Sequence, residues 1–310
     1  MDVLTDLLQR SRARGAAFSH STMRGEWGVT FPTIPGLAVH AIVDGEIYLW
    51  TDDEHASTRL LPGDMVLVRG DVEHHVAHAP GARCTPMQEL ITHDSRRSPA
   101  QRLADGLGAT GPAAVFFCGA YMFEGDLCAG LLASLPDLVH LRPSSGNPLR
   151  ATMDLLAGEM LNSAAGQQAL LDRLLDVALV QVLREYFATH ESAAPAWFRA
   201  MNDPAVGPAL RALHADPARR WTVAELADEA GLSRATFARR FTEALGAGPL
   251  AYLTDWRMAL AREQLRDGDA GLAAIADSLG YSSEFSFAAA FKRHEGVAPG
   301  RWRARARAAA

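Results

Sequence analysis

The sequence predicts an α+β protein of two domains, an N-terminal β-barrel followed by helices and then an all-α C-terminal domain built on a tandem helix-turn-helix. Three observations carry this expectation. Short β-type runs punctuated by Asp-Gly and Pro-Gly-Asp turns fill residues 28–123, apolar residues at three-and-four spacing take over after Leu149, and one helix-turn-helix pattern occurs twice near the C-terminus. With 310 residues and 48% hydrophobic content the chain has enough apolar surface for two cores, which excludes a disordered or fibrous polymer.

In the β-rich part, strands are expected over 37–43, 46–50, 65–68 and 113–117, with Asp44-Gly45, Pro62-Gly63-Asp64 and Gly70-Asp71 between them. Asp-Gly between two apolar runs is a strong hairpin signal, and its regular recurrence favours an antiparallel barrel or sandwich. Pro136, Pro143 and the Ser144-Ser145-Gly146-Asn147-Pro148 cluster end this region. The expected division is therefore a mostly β domain over 1–145, a helical linker over 146–203 and a C-terminal domain over 204–310. In the linker, Leu170, Leu171, Leu174, Leu175, Ala178, Leu179, Val182 and Leu183 form a stripe wide enough for two neighbours. It suits an intramolecular core, or a core together with a homodimer contact.

The same stretch, 170–187, carries Asp172, Arg173, Asp176, Arg184 and Glu185, which no membrane span would tolerate. Residues 1–14 read as an amphipathic helix rather than a signal peptide, so cytoplasmic residence is expected. Cys84, Cys118 and Cys128 are odd in number and lack C-x-x-C spacing, which argues for free thiols over a disulfide framework or a zinc knuckle. The basic residues are 29 Arg and a single Lys, a bias that points to a GC-rich bacterial genome. A net charge of −6 looks wrong for a nucleic-acid binder until the chain is divided. Residues 205–310 hold 15 Lys+Arg against 12 Asp+Glu, net +3, while the remainder holds 15 against 24, net −9. The cationic surface belongs to the C-terminal domain.

There, Leu226-Ala227-Asp228-Glu229-Ala230-Gly231 recurs 49 residues later as Ile275-Ala276-Asp277-Ser278-Leu279-Gly280. Each is followed by two phenylalanines four apart, Phe237 and Phe241, then Phe287 and Phe291, which places each pair on one helix face. Gly231 and Gly280 suit the left-handed turn between the two helices of a unit. Ser233, and Ser282 or Ser283, are natural N-caps for the second helices, and Thr222-x-x-Glu225 is a capping box. Between the units, Gly248-Pro249 opens a helix that stops near Asp267-Gly268 and would hold them at a fixed separation.

The residues Ile275-Ala276, Gly280-Tyr281-x-Ser283, Phe287, Ala290-Phe291-Lys292-Arg293 and Pro299-Gly300-x-Trp302-Arg303 resemble the AraC/XylS family of bacterial regulators. The resemblance implies that each second helix enters the major groove of a double-stranded DNA operator, the two lying in successive grooves. The DNA-facing candidates in the first unit are Arg234, Ala235, Thr236, Ala238, Arg239 and Arg240, with Arg239 suited to a bidentate guanine contact. In the second unit they are Ser283, Glu284, Ser286 and Lys292. Ala288 and Ala289 stand where the family commonly has a polar residue or Arg, and alanine offers only contact with a thymine methyl. The first unit is thus expected to supply most base discrimination while the second positions the backbone. The Arg301–Arg307 tail reads either as a phosphate-binding arm or as a frayed terminus.

The run Leu60-Leu61-Pro62-Gly63-Asp64-Met65-Val66-Leu67-Val68-Arg69-Gly70-x-x-x-His74 is similar to the second motif of cupin barrels. With Trp27-Gly28, Cys118-Gly119-x-Tyr121 and Leu135-Pro136 it resembles the cupin-like sensor domain of one branch of that family, which implies a small barrel able to hold an effector. Histidine is dense here, at His40, His55, His74, His75, His78 and His93. A catalytic cupin supplies His-x-His with a downstream Glu and a further His for a divalent metal; here His40-x-Ile42, with Glu46 nearby, leaves that set incomplete. His74 and His75 cannot both point inward from one strand. An effector pocket using His40, Tyr48, Trp50 and His74, a bound divalent metal, and purely structural histidines are the three readings. Cys118 is a candidate for oxidation sensing, or a buried inert thiol.

The leading expectation is a transcription regulator whose barrel senses a small-molecule or oxidant effector, acting as a homodimer, and through RNA polymerase if it is an activator. Its rivals are a metal-dependent cupin enzyme, an isomerase or dioxygenase, fused to a DNA-binding domain, and a constitutive DNA-binding protein whose barrel is only a scaffold.

Overall fold

The computed structural model describes Leu4 and residues 19–91, 113–122, 129–160 and 164–308. Apart from Leu4, the expected N-terminal helix lies outside the described residues, as do His93 and Cys128. The chain forms two compact units, one holding most of the described residues up to Ala193, the other holding residues 194–308 together with Leu4 and residues 129–130.

In the first unit the elements run β1 (Ser19–Arg24), β2 (Gly28–Phe31), β3 (Gly36–Asp44), β4 (Ile47–Trp50), β5 (Thr58–Leu60), β6 (Met65–Arg69), β7 (His74–Ala77), β8 (Thr85–Pro86), α1 (Met87–Ile91), β9 (Ala113–Met122), α2 (Ala129–Ala133), β10 (Leu138–Leu141), α3 (Pro148–Met160) and α4 (Gln167–Thr189). The strands make two five-stranded sheets, ordered β1-β9-β3-β6-β10 and β5-β4-β7-β2-β8. Their inner faces share one core, in which Met23, Ala38, Ile42, Val66, Val68 and Phe116 of the first sheet meet Val29, Phe31, Ile47, Leu49, Leu60 and Val76 of the second. The expected barrel is met as a sandwich: among the described residues no strand pairing joins the two sheets.

Asp44-Gly45 is not the turn of a hairpin. β3 pairs with β6 and β9 in the first sheet, whereas β4 pairs with β5 and β7 in the second, so this turn carries the chain across the sandwich. Pro62-Gly63-Asp64 and Gly70-Asp71 do the same in turn, because β5 and β7 belong to one sheet and β6 to the other. Turn chemistry fixes a reversal of direction and leaves open which strands then pair, since pairing depends on distant partners.

The first sheet is buried on both faces, which is why 37–43 is apolar at every position but His40 rather than alternating. Leu37, Val39, Ala41, Leu67, Phe117 and Tyr121 point away from the sandwich interior and are buried. α3 packs on β3 and α4 on β10, and the two helices pack on one another. The helical segment after residue 145 is therefore part of the first unit rather than a separate linker, because this sheet has two apolar faces to cover. Leu155, Leu170 and Val177 remain exposed on the far side of the helix pair. No described helix is long and apolar enough to cross a membrane.

The second unit is all helical: α5 (Ala196–Asn202), α6 (Gly207–Ala215), α7 (Val223–Glu229), α8 (Arg234–Leu245), α9 (Pro249–Asp267), α10 (Leu272–Ser278), α11 (Glu284–Glu295) and α12 (Pro299–Ala308). α7–α8 and α10–α11 are the two helix-turn-helix units, and α9 joins them. The Arg-rich tail continues as helix α12 through Ala308 and is docked rather than frayed. Trp302 meets Phe291 edge-on, and Arg303 and Arg307 donate to the carbonyls of Ala270 and Gly268.

Candidate nucleic-acid interface

Each helix-turn-helix is organised around its phenylalanine pair, with Phe237, Phe241, Phe287 and Phe291 all fully buried. Gly231 and Gly280 both take the left-handed conformation, at φ 63° and 76°. In the first unit Ser233 caps α8 by accepting from the Thr236 amide, and Thr222 and Glu225 complete the capping box of α7. In the second unit the cap is Ser283, not Ser282: its hydroxyl accepts from the Ser286 amide while Ser286 Oγ accepts from the Ser283 amide. The second unit therefore has one more residue between glycine and cap. A cap of this kind contributes about 1 kcal/mol.

α9 fixes the separation of the units. Its Arg257 donates to the carbonyls of Pro217 at 2.7 Å and Arg219 at 2.9 Å, ahead of α7, while the guanidinium lies 5.7 Å from the Tyr281 ring of the second unit. Leu260, Ala261 and Leu265 enter the core of the second unit beside Phe287 and Phe291. Arg262 pairs with Glu295 at 2.6 Å, both mostly buried.

With the phenylalanine faces buried, the opposite faces of α8 and α11 are left to solvent. On α8, Arg234, Ala235, Arg239 and Arg240 are exposed and Thr236 and Ala238 half-buried. Arg239 Nη1 donates to both carboxylate oxygens of Glu243, at 2.8 and 3.0 Å, one turn along the same exposed face. Thr236 Oγ1 accepts from Ser233 Oγ, so this hydroxyl is engaged at the helix start.

On α11, Glu284 and Lys292 are exposed, while Ser283 and Ser286 spend their hydroxyls on the capping box, which limits them as backbone-positioning groups. Phe285 was missed by the sequence reading, yet it is 79% exposed. Its signal was present: two residues before Phe287 it falls about 200° around the helix, away from the buried stripe.

In the first unit, the sandwich interior holds a polar chain. His40 on β3 lies opposite Cys118 on β9, and His74 on β7 reaches across from the other sheet. His74 Nδ1 is 3.5 Å from the Val72 carbonyl, His74 Nε2 is 2.8 Å from His40 Nε2, and His40 Nδ1 is 3.2 Å from Cys118 Sγ. A carbonyl only accepts, and with both rings neutral this sets the order of donors along the chain. His74 Nδ1–H donates to Val72, His40 Nε2–H donates to His74 Nε2, and the Cys118 thiol donates to His40 Nδ1. Phe31 stacks on His74 and meets His40 edge-on.

Burial lowers both imidazole pKa values, that of His74 to about 4, so both rings are neutral at pH 7. Burial likewise pushes the Cys118 thiol well up, a setting of an inert thiol rather than a reactive one. The two nitrogens of His40 face opposite ways, toward His74 and toward Cys118, so the three cannot turn lone pairs on a common point. Among the described residues no group of three or more His, Cys, Asp or Glu is placed to hold a metal.

The expected pocket does not assemble. His40 and His74 face the sandwich interior, whereas Tyr48 and Trp50 lie on the other face of the second sheet. There Tyr48 donates to Glu46 at 2.5 Å and Trp50 stacks on His75. The reason is strand parity: Ile47 and Leu49 take the interior side of β4, which turns residues 48 and 50 outward. A cleft of about 610 Å³ opens elsewhere, lined by Glu26, Trp27, Gly28, His78, Arg83 and Thr85 among others.

Residues 2–188 match the family described as Cupin, and residues 226–305 the one described as Helix-turn-helix domain. A putative AraC-like transcription regulator of Streptomyces antibioticus is 33% identical over 98% of this chain and 98% of its own length. The HTH-type transcriptional regulator AlkR of Acinetobacter baylyi is 28% identical over 98% of this chain and 99% of its own. Among solved structures, the DNA-binding domain of AdpA in complex with a target DNA matches 35% of this chain and 96% of that chain, with 31% identity and a TM-score of 0.33. Two buried-core reading units in tandem behind a cupin sandwich, together with full-length similarity of this order, place the chain in the family of AraC-like transcription regulators.

Proposed function

We propose that this regulator reads its operator with α8 and α11 in successive major grooves, and that Arg234, Arg239 and Arg240 of α8 supply much of the base discrimination. The observation that supports this most directly is the division of each second helix into a fully buried phenylalanine face and an exposed face, on helices held apart by α9. Footprinting the full chain on duplexes selected from a random pool tests it. Two protected major-groove segments about one helical turn apart are expected; a single segment, or no selected sequence, would overturn it.

The cupin unit is the sensor in this reading, with a small-molecule effector shifting operator affinity. The cleft bordered by Glu26 and Arg83 suits such a ligand in size and is open to solvent, unlike the fully buried His40–His74 pair. The reading of this unit as a sensor rather than an enzyme is supported by its full-length relatives, which are named transcription regulators. A second copy of the chain docks on the face of α3 and α4 that carries Leu155, Leu170 and Val177. Along α4, Leu170, Leu174 and Val177 follow the four-and-three spacing of a helix-pairing seam. The protein works in the cytoplasm at the nucleoid, and contacts RNA polymerase if it activates.

A further inference from the structure

We infer that Phe285 is a base-reading side chain of the second unit, recognising thymine 5-methyl groups in the major groove. This rests on the operator reading above and changes the role of the second unit from backbone positioning to apolar readout.

A single exposed apolar side chain is ordinary on a protein surface. What sets Phe285 apart is where it sits. It occupies the first turn of α11, is 79% exposed, and shares its face with the exposed Ala289 and Lys292, four and seven residues on. Phe287 and Phe291 already fill the core, so nothing in the packing of the unit calls for a third phenylalanine.

Superposing the two units by their phenylalanine pairs puts Phe285 where the first unit has Ala235, Ala289 where it has Arg239, and Lys292 where it has Thr242. The reading faces are thus complementary in design. The first places an arginine among alanines and small polar residues; the second places a phenylalanine beside Ala288 and Ala289.

A phenyl ring can neither donate nor accept a hydrogen bond to a base edge. The one apolar group that the bases present in the major groove is the thymine methyl. Ala288 and Ala289 are short enough to let the helix come close to the bases, which a ring contact at van der Waals distance requires. Lys292, farther along the same face, is placed to meet a phosphate and fix the depth of insertion. Removing one methyl contact corresponds to about a fourfold loss of affinity.

The test uses the full chain and duplexes selected from a random pool. Thymines in the segment protected by the second unit are replaced one at a time by deoxyuridine, which pairs identically but lacks the methyl. The wild-type chain is expected to lose about fourfold at one or two positions. Phe285→Ala is expected to bind the thymine duplex correspondingly less well and to ignore the replacement, with an unchanged melting temperature because the side chain is exposed. Wild-type indifference to every methyl, or a Phe285→Ala chain that keeps the sensitivity, would overturn the inference alone. So would an equal loss in Phe285→Ala on thymine and deoxyuridine duplexes, which would assign the ring to base stacking or to another partner. Absence of any protected duplex would instead overturn the operator reading on which it rests.

Discussion

His40 Nε2 lies 2.8 Å from His74 Nε2, across the interior of the sandwich, and both rings are neutral. One imidazole comes from each sheet, so the contact ties the two sheets together by a hydrogen bond inside an otherwise apolar core.

The burial of the two rings makes the first unit sensitive to mild acid. Burial lowers the His74 pKa from 6.5 to about 4, and lowers that of His40 as well, so the unfolded chain binds protons in a range where the folded unit does not. The stability conferred by the neutral pair is complete above pH 6.5 and is lost progressively as pH falls toward 4, by about 3 kcal/mol for His74. Chemical denaturation followed between pH 7.5 and 5 should show this slope, and it should flatten in His74→Phe, whose ring can still stack on Phe31. An unchanged slope in that variant would contradict the assignment.

Gly231 and Gly280 share a backbone conformation but not a tolerance for substitution. A Cβ at Gly231 meets open space, whereas one at Gly280 would stand 1.8 Å from the Ala218 carbonyl oxygen. Gly231→Ala should therefore cost about 1 kcal/mol, the strain of the left-handed region alone. Gly280→Ala should cost about 3 kcal/mol or more, because backbone must move to admit the methyl. Thermal melts of the two variants decide it, and equal losses would show that the turn conformation is the whole effect.

The Arg239–Glu243 pair sets up the third expectation. Arg239 bonds both oxygens of Glu243 in the free protein and would have to exchange that partner for a base. Arg239→Ala should weaken operator binding by about 5-fold to 150-fold and relax preference at one base pair. Glu243→Gln should strengthen binding severalfold by freeing the guanidinium and removing a negative charge from the reading face. Both variants should keep wild-type stability within about 0.5 kcal/mol, since an exposed pair contributes little. Binding titrations at fixed salt check the first two statements, and thermal melts the third. Weaker binding by Glu243→Gln would mean that the pair pre-orders Arg239 rather than occupying it.

The tandem helix-turn-helix was legible because its signals are local. The phenylalanine spacing, Gly231, Gly280, Ser233 and the Thr222–Glu225 box each act within a few residues, and each lies where the structure puts it. Phe285 is equally legible by its angle around the helix, about 200° from Phe287.

The amino-acid sequence by itself determined the two-part organisation, the turns and caps of the reading units, and the faces of α8 and α11, all set by period and short-range hydrogen bonding. Only the tertiary structure decided that Asp44-Gly45 crosses between sheets, that His40 and His74 meet while Tyr48 and Trp50 turn away, and that α3 and α4 belong with the sandwich. Each of these depends on strand register and on which face of a sheet is covered, and register is fixed by partners tens of residues distant. A slip of one residue would exchange the two faces of a strand, so no local pattern could have told His40 and Tyr48 apart.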